Sequence, residues 1–123
     1  MSSLLTSNAL VQKCYTETAI PKNTLVKLNG YNSEFDLPIV TRVSGVSNPT
    51  VIGITTEEIT DTGVSTEVIF KGLISVNSLP SGTYVNSEIY WDTTTQDFTS
   101  DTTDYFVGWL SEVFPNQKIY VNI

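Results

Sequence analysis

Acidic side chains are the first residues of this chain that could do chemistry. Asp92, Asp97, Asp101 and Asp104 follow one another closely, and carboxylate oxygens are the ligands that calcium prefers. Their spacing does not fit the calcium-binding loop of an EF-hand, and aspartates in turns commonly accept hydrogen bonds from their own backbone. We therefore predict turn caps and no metal site, with calcium as the alternative that this cluster leaves open.

Carbohydrate chemistry is a second candidate, because glycosidases need two carboxylates across a cleft, usually beside aromatic platforms for the sugar rings. Trp91 and Trp109 could be such platforms. Each lies among apolar neighbours in a strand-like segment, however, and we expect both to belong to the core. Glu57, Glu58 and Asp61 are interpreted as a solvated turn.

The residue types that most other catalytic and metal sites require are missing. The chain has no histidine and one cysteine, Cys14. A Ser-His-Asp triad, a histidine-ligated metal and a zinc or iron–sulfur centre are therefore excluded. Neither glycine-rich pattern that cradles nucleotide phosphates occurs. We predict that Cys14 is a small buried hydrophobic residue, that the protein is no enzyme and that it uses no cofactor.

Charge argues against two classes of partner. The net charge is −7, with 6 Lys and Arg against 13 Asp and Glu, and the cations are scattered along the chain. A nucleic-acid binder needs clustered cations to displace counterions, and an acidic surface is repelled by anionic lipids. We therefore expect neither nucleic acid nor a membrane among the partners.

The composition favours strands. Valine, isoleucine and threonine are abundant, alanine occurs only at Ala9 and Ala19, and no window has a sustained helical period of apolar residues. Short strand-like segments separated by turn signals are typical of a barrel or sandwich. We predict an all-β fold, a small β-barrel or sandwich of two loosely duplicated halves, with an N-terminal arm at residues 1–9 and a single β domain at residues 10–123.

The duplication is predicted from motifs that recur in the same order. IPKNTLV at residues 20–26 matches LPSGTYV at residues 79–85, and VIGI at residues 51–54 matches FVGW at residues 106–109. Each glycine motif is followed by an acidic segment and an apolar closing strand. Residues 83–85, which are β-branched or aromatic, are predicted to form a short strand, and residues 25–28 are predicted to form another.

Turn chemistry adds two local predictions. Asn29-Gly30 is a strong turn dipeptide. Residues 31–37, which follow it, have no strand pattern and are predicted to form a projecting loop that carries Tyr31 and Phe35. Because loops often hold binding residues, these two aromatic side chains are candidate interface residues. The alternative is that both pack inward against the core.

Taken in order, the motifs resemble the small capsid decoration proteins of tailed bacteriophages, also called cement or auxiliary capsid proteins. The resemblance covers roughly residues 15–123. Its marks are a glycine before a strand, at Gly72, the I-Y-W-D segment at residues 89–92, and the late V-G at residues 107–108. The chain departs from the family pattern at Asn23, where a glycine is frequent, and in having serine and threonine where that family has alanine-rich runs.

The resemblance implies a non-catalytic β module, commonly a homotrimer, that sits on the outside of the virion and clamps adjacent major capsid subunits. The expected location is thus the capsid exterior, after synthesis in the host cytoplasm, because the N-terminus lacks the features of a signal peptide. The interface candidates are Leu4 and Leu5 in the arm, with Tyr31 and Phe35 in the loop. The alternative function is a carbohydrate-binding or adhesion module, or the base of a head fibre.

Overall fold

The computed structural model describes residues 9–44, 50–80, 82–102, 105–114 and 116–123. These residues form nine strands and no helix, which confirms the all-β prediction. The described part of the chain accordingly contains no helix long and apolar enough to cross a membrane. The strands are β1 (Leu10–Thr16), β2 (Leu25–Asn32), β3 (Leu37–Arg42), β4 (Val51–Thr55), β5 (Val64–Ser75), β6 (Glu88–Asp92), β7 (Asp97–Thr99), β8 (Tyr105–Glu112) and β9 (Lys118–Asn122).

Five strands close into a barrel. Their order is β1-β3-β2-β4-β5, and β1 also pairs with β5 and so completes the ring. β1 runs parallel to β3 and antiparallel to β5. Closure leaves no free edge within these five strands. Unpaired edge strands can pair with other chains and aggregate, so closure removes that risk here.

The remaining strands extend the sheet from β5. The order continues β5-β9-β8-β6-β7, so the 12-residue strand β5 belongs both to the barrel and to this second sheet. β5 pairs with β1 at its start and with β9 at its end. The two parts of the molecule therefore share one strand.

The two halves have the same topology. In the first half the order is β3-β2-β4-β5, and in the second it is β7-β6-β8-β9. Hairpins β2–β3 and β6–β7 correspond, each with a four-residue turn that ends in a residue of positive φ, Asp36 at 56° and Gln96 at 57°. The equivalent closing strands β5 and β9 pair antiparallel, which gives the halves a local twofold relation.

The entry to each hairpin identifies equivalent residues. Asn23 and Asn86 both have positive φ, 60° and 77°, a conformation that asparagine tolerates better than most residues. The Asn23 N–H donates to the Thr55 carbonyl at 2.9 Å, and the Asn86 N–H donates to the Leu110 carbonyl at 2.8 Å. Asn23 thus occupies the backbone conformation that a glycine would otherwise supply.

The motif alignment used to predict the repeat was wrong by several residues. Because Asn23 corresponds to Asn86, residues 20–26 correspond to residues 83–89 and not to residues 79–85. Tyr84 and Val85 are exposed and lie outside any strand, so the predicted strand at residues 83–85 does not form. The P-x-x-T sequences at residues 21–24 and 80–83 are therefore similar in sequence but do not occupy equivalent positions in the two halves.

The glycines at residues 53 and 108 were paired correctly. Gly53 in β4 lies opposite Val26, and Gly108 in β8 lies opposite Ile89. A Cβ atom at Gly53 would lie 2.3 Å from the Ile69 carbonyl oxygen, and one at Gly108 would lie 1.9 Å from the Tyr120 carbonyl oxygen. Both positions exclude a side chain because the neighbouring closing strand passes too close.

The Asn29-Gly30 turn does not form. Both residues lie inside β2, which continues to Asn32 before a turn at residues 33–36. The pairing between β2 and β3 shifts register between Leu28 and Tyr31, so the flexible dipeptide accommodates a bulge in a continuous strand. Tertiary pairing overrides the local turn signal.

Two hydrophobic clusters fill the molecule. One holds Cys14, Val26, Val40 and Val68 from strands of the barrel, together with Ile20 and Ile59, which pair with each other in an isolated bridge outside the strands. The other joins barrel residues to the second sheet: Leu25, Val43, Ile54, Ile69, Ile74, Val76, Ile89, Trp91, Val107, Leu110, Ile119 and Val121. The second sheet is therefore packed onto the barrel by a common core, which makes residues 10–123 one continuous β structure over its described parts.

Candidate functional site

The predicted interface residues of the aromatic loop lie on the β2–β3 hairpin. Tyr31 is 60% exposed and Phe35 is 55% exposed, so neither packs into the core. The Tyr31 hydroxyl donates to the Asp36 carboxylate, and the Phe35 ring stacks on the Tyr15 ring with 5.6 Å between centroids. The hairpin thus presents both aromatic side chains to solvent in fixed positions.

The other predicted interface residues, Leu4 and Leu5, lie outside the described residues. The described chain begins at Ala9, which packs against the larger core cluster. β1 starts at Leu10, the first residue predicted for the β domain.

A larger apolar surface lies on the second sheet. Leu73 of β5 is directly opposite Tyr120 of β9, which in turn is directly opposite Trp109 of β8. Directly paired residues share one face of a sheet, so these side chains form a row across three strands. They are 53%, 42% and 36% exposed, respectively.

Two more aromatic rings extend this row. The Phe106 ring lies 5.1 Å from the Trp109 ring, and the Tyr90 ring lies 5.6 Å from the Phe106 ring, both edge to face. Edge-to-face packing is the arrangement that aromatic quadrupoles favour. We call Leu73, Tyr90, Phe106, Trp109 and Tyr120 the aromatic face.

A bulge in β8 brings Phe106 and Trp109 to the same side. The register with β6 shifts between Ile89 and Tyr90, so Ile89 is opposite Gly108 whereas Tyr90 is opposite Phe106. The extra residue, Val107, is fully buried. Without the bulge, residues 106 and 109 would point to opposite faces of the sheet, because side chains alternate along a strand.

Sequence reasoning missed most of the aromatic face. Trp91 is a core residue as predicted, 1% exposed, but the prediction for Trp109 was wrong. The available signal was alternation in β9, where Ile119 and Val121 are buried and the intervening Tyr120 is exposed. The same period in β8 is broken by the bulge, which only the pairing with β6 determines.

Polar side chains border the aromatic face. Glu88 lies opposite Trp109 and accepts a hydrogen bond from the Tyr90 hydroxyl at 3.1 Å. On the other side, Lys71 donates to the Asn122 side-chain carbonyl. An apolar centre with a polar rim is typical of binding surfaces.

Two aspartates of the acidic cluster accept hydrogen bonds from nearby backbone N–H groups. The Asp92 carboxylate accepts the N–H groups of Thr94 at 2.8 Å and Thr95 at 3.3 Å. Asp97 accepts the N–H of Phe98 at 2.8 Å. Asp104 lies outside the described residues, and the described ones contain no group of three or more acidic, cysteine or histidine residues that could hold a metal ion.

Cys14 is buried in the barrel, as predicted. Its Sγ donates to the Gln12 carbonyl at 3.5 Å. Burial raises the pKa of the thiol from 9.0 to about 11, because the thiolate is poorly solvated there. A thiol that stays protonated at neutral pH is a weak nucleophile.

Comparison with protein-family models, with curated proteins and with solved structures finds no match.

Proposed function

We propose that this protein decorates the outer surface of a tailed-bacteriophage capsid and stabilises contacts between major capsid subunits, without catalysis. The observation that carries the proposal is the aromatic face, an exposed apolar row on a fold whose core is otherwise complete. A face of this kind is a place for a protein partner. The resemblance of the sequence motifs to decoration proteins supplies the partner, the major capsid protein.

The hairpin residues Tyr31 and Phe35 form a second contact surface in this proposal. They are exposed on the first half of the molecule, whereas the aromatic face belongs to the second sheet. Two separate surfaces allow one protein to touch two neighbours, and a homotrimer would repeat each contact. Repetition makes the avidity exceed the affinity of any single contact.

Binding to undecorated phage heads tests the proposal. Purified protein should co-sediment with the heads, and light scattering should show a trimer at several concentrations. Protein that stays monomeric and fails to bind the heads would overturn the proposal.

Two matched variants, each removing one exposed tyrosine, identify the surface that docks. Because both surfaces are contacts in this proposal, Tyr120→Ser and Tyr31→Ser should each weaken binding about tenfold or more. If only one surface docks, only the variant on that surface loses affinity. Far-UV circular dichroism of each variant checks that the fold is retained.

Carbohydrate binding is the second candidate, favoured by exposed Trp109 lying beside Tyr120. Aromatic rings of this kind can stack on sugars. A glycan array and the tryptophan fluorescence on adding sugars test it directly. Because Trp91 is buried, a sugar-dependent fluorescence change that is lost in Trp109→Phe would support sugar binding, and an unresponsive array would reject it.

A further inference from the structure

A polar cleft lies where the two halves meet. It is lined by the turn before β2, by the end of β3, by the segment after β5 and by the β6–β7 hairpin, and its volume is about 270 Å³. The hairpin is tied to the first half by Gln96, whose Nε2 donates to the Val43 carbonyl at 2.6 Å. A cleft of this size takes a small molecule or a single side chain with its backbone.

Two cationic side chains line this cleft. The whole chain has 6 lysines and arginines, and both Lys22 and Arg42 line it. Arg42 is only partly exposed, and its guanidinium has no hydrogen-bond or ion-pair partner among the described residues. A guanidinium presents up to five donors in a fork that matches an oxyanion.

Gln96 forms a fixed part of the cleft wall. Its Nε2 donates to two carbonyls, those of Val43 and Thr93, and a flipped amide would set oxygen against oxygen. Its Oε1 atom is buried, so a ligand in the cleft lies against the wall that Gln96 holds and does not reach this oxygen.

Two carboxylates moderate the positive charge. Asp97 lines the cleft, with one oxygen engaged by the Phe98 N–H at 2.8 Å. Glu58 lies 3.5 Å from the backbone nitrogen of Lys22. The net charge of −7 also opposes an approaching anion, so attraction has to come from the short-range contacts of Arg42 and Lys22.

We propose that this cleft binds a small ligand that carries an oxyanion, a carboxylate or a phosphate. The oxyanion takes the Arg42 fork and the Lys22 ammonium group. Asn23, whose side chain donates to the Ser75 carbonyl at 3.0 Å, fixes another part of the cleft wall. This site is separate from the aromatic face and does not depend on the capsid role.

Nuclear magnetic resonance of the full-length, isotope-labelled protein tests the site. The probes are N-acetylaspartate, which carries carboxylates, and inorganic phosphate. Either probe should shift the Arg42 Nε–H and Gln96 side-chain amide signals saturably, and the probe that binds more tightly identifies the oxyanion. N-acetylasparagine amide is the neutral control, and an equal response to it would overturn the proposal.

Substitutions complete the test. Arg42→Gln should weaken binding at least about tenfold, and Lys22→Gln, at an exposed position, should weaken it without any risk to the fold. Lys118→Gln removes a cation from β9, outside the cleft, and should leave binding unchanged. Signals that do not move with either probe, or a Lys118→Gln variant that loses as much affinity as Lys22→Gln, would overturn the proposal.

Discussion

At the scale of single residues, burial decides what the one thiol can do. Cys14 is fully buried in the barrel, and its pKa is raised to about 11. Iodoacetamide should therefore alkylate the folded protein very slowly at pH 8 and the urea-unfolded protein readily. Mass spectrometry of the reaction over time measures both rates. Equal rates in the two states would contradict the placement of Cys14.

The same residue gives a pH dependence with a definite sign. Because the thiol ionises at lower pH in the unfolded chain than in the folded one, its contribution to stability is complete below about pH 9 and is lost as pH rises to about 11. Cys14→Ala should lower the free energy of unfolding at neutral pH but flatten its decline over that alkaline range. All other side chains are the same in the two proteins, so their contributions cancel in the comparison.

At the scale of strands, the close approach of neighbouring backbones limits which side chains can be accommodated in the sheet. The β8–β9 pairing brings the Tyr120 carbonyl so close to Gly108 that a Cβ atom would lie 1.9 Å from its oxygen. Gly108→Ala should therefore reduce the free energy of unfolding by about 3 kcal/mol, because one strand must move. Urea denaturation measures the loss.

Gly82→Ala is the matched control for that substitution. A Cβ atom at Gly82 meets nothing within 4 Å, but φ is +75°, so only backbone strain of about 1 kcal/mol is expected. If the two variants lose the same stability, steric contact between β8 and β9 is not what excludes a side chain at residue 108.

Local pattern was sufficient for some strands and insufficient for others. Alternation in residues 10–16 and the apolar run at residues 51–55 mark β1 and β4 without any knowledge of the partner strands. Asn29-Gly30 and Trp109 were misjudged, because a bulge is fixed by the partner strand and not by the sequence around it. Closure of the barrel through β1 also depends on pairs far apart in sequence, which no local pattern encodes.

The candidate sites were predictable only in part. Sequence placed Tyr31 and Phe35 on a loop between strands, and both side chains are exposed there, while their role in an interface stays a prediction. Predicting the aromatic face would also require the register of β5, β8 and β9, because Leu73, Tyr120 and Trp109 come from three separate segments. The cleft could not be predicted from the sequence, because it forms only where the two halves meet and Lys22 and Arg42 come to lie beside the β6–β7 hairpin.

At the scale of the whole molecule, the shared strand β5 and the common core couple the two halves. Urea unfolding should therefore be one cooperative transition. Both tryptophans belong to the second half, so their fluorescence reports that half, whereas far-UV circular dichroism reports all strands. The two unfolding curves should coincide.

A substitution in the first half sharpens this test. Gly53→Ala places a Cβ atom 2.3 Å from the Ile69 carbonyl oxygen, in the barrel and away from both tryptophans in the sequence. It should lower the fluorescence midpoint as much as the circular dichroism midpoint. A fluorescence midpoint that stays at the wild-type value would show that the halves unfold separately.

The pairing of β1 sets an order of events while the chain is being made. β1 is synthesised first, yet its antiparallel partner β5 follows much later, with the Thr16 hydroxyl bonded to a carbonyl 48 positions further along. Its parallel partner β3 emerges earlier but holds it through only two residue pairs. The barrel thus cannot close until β5 has left the ribosome, and the first strand must wait with one side unpaired while the second half is still being translated.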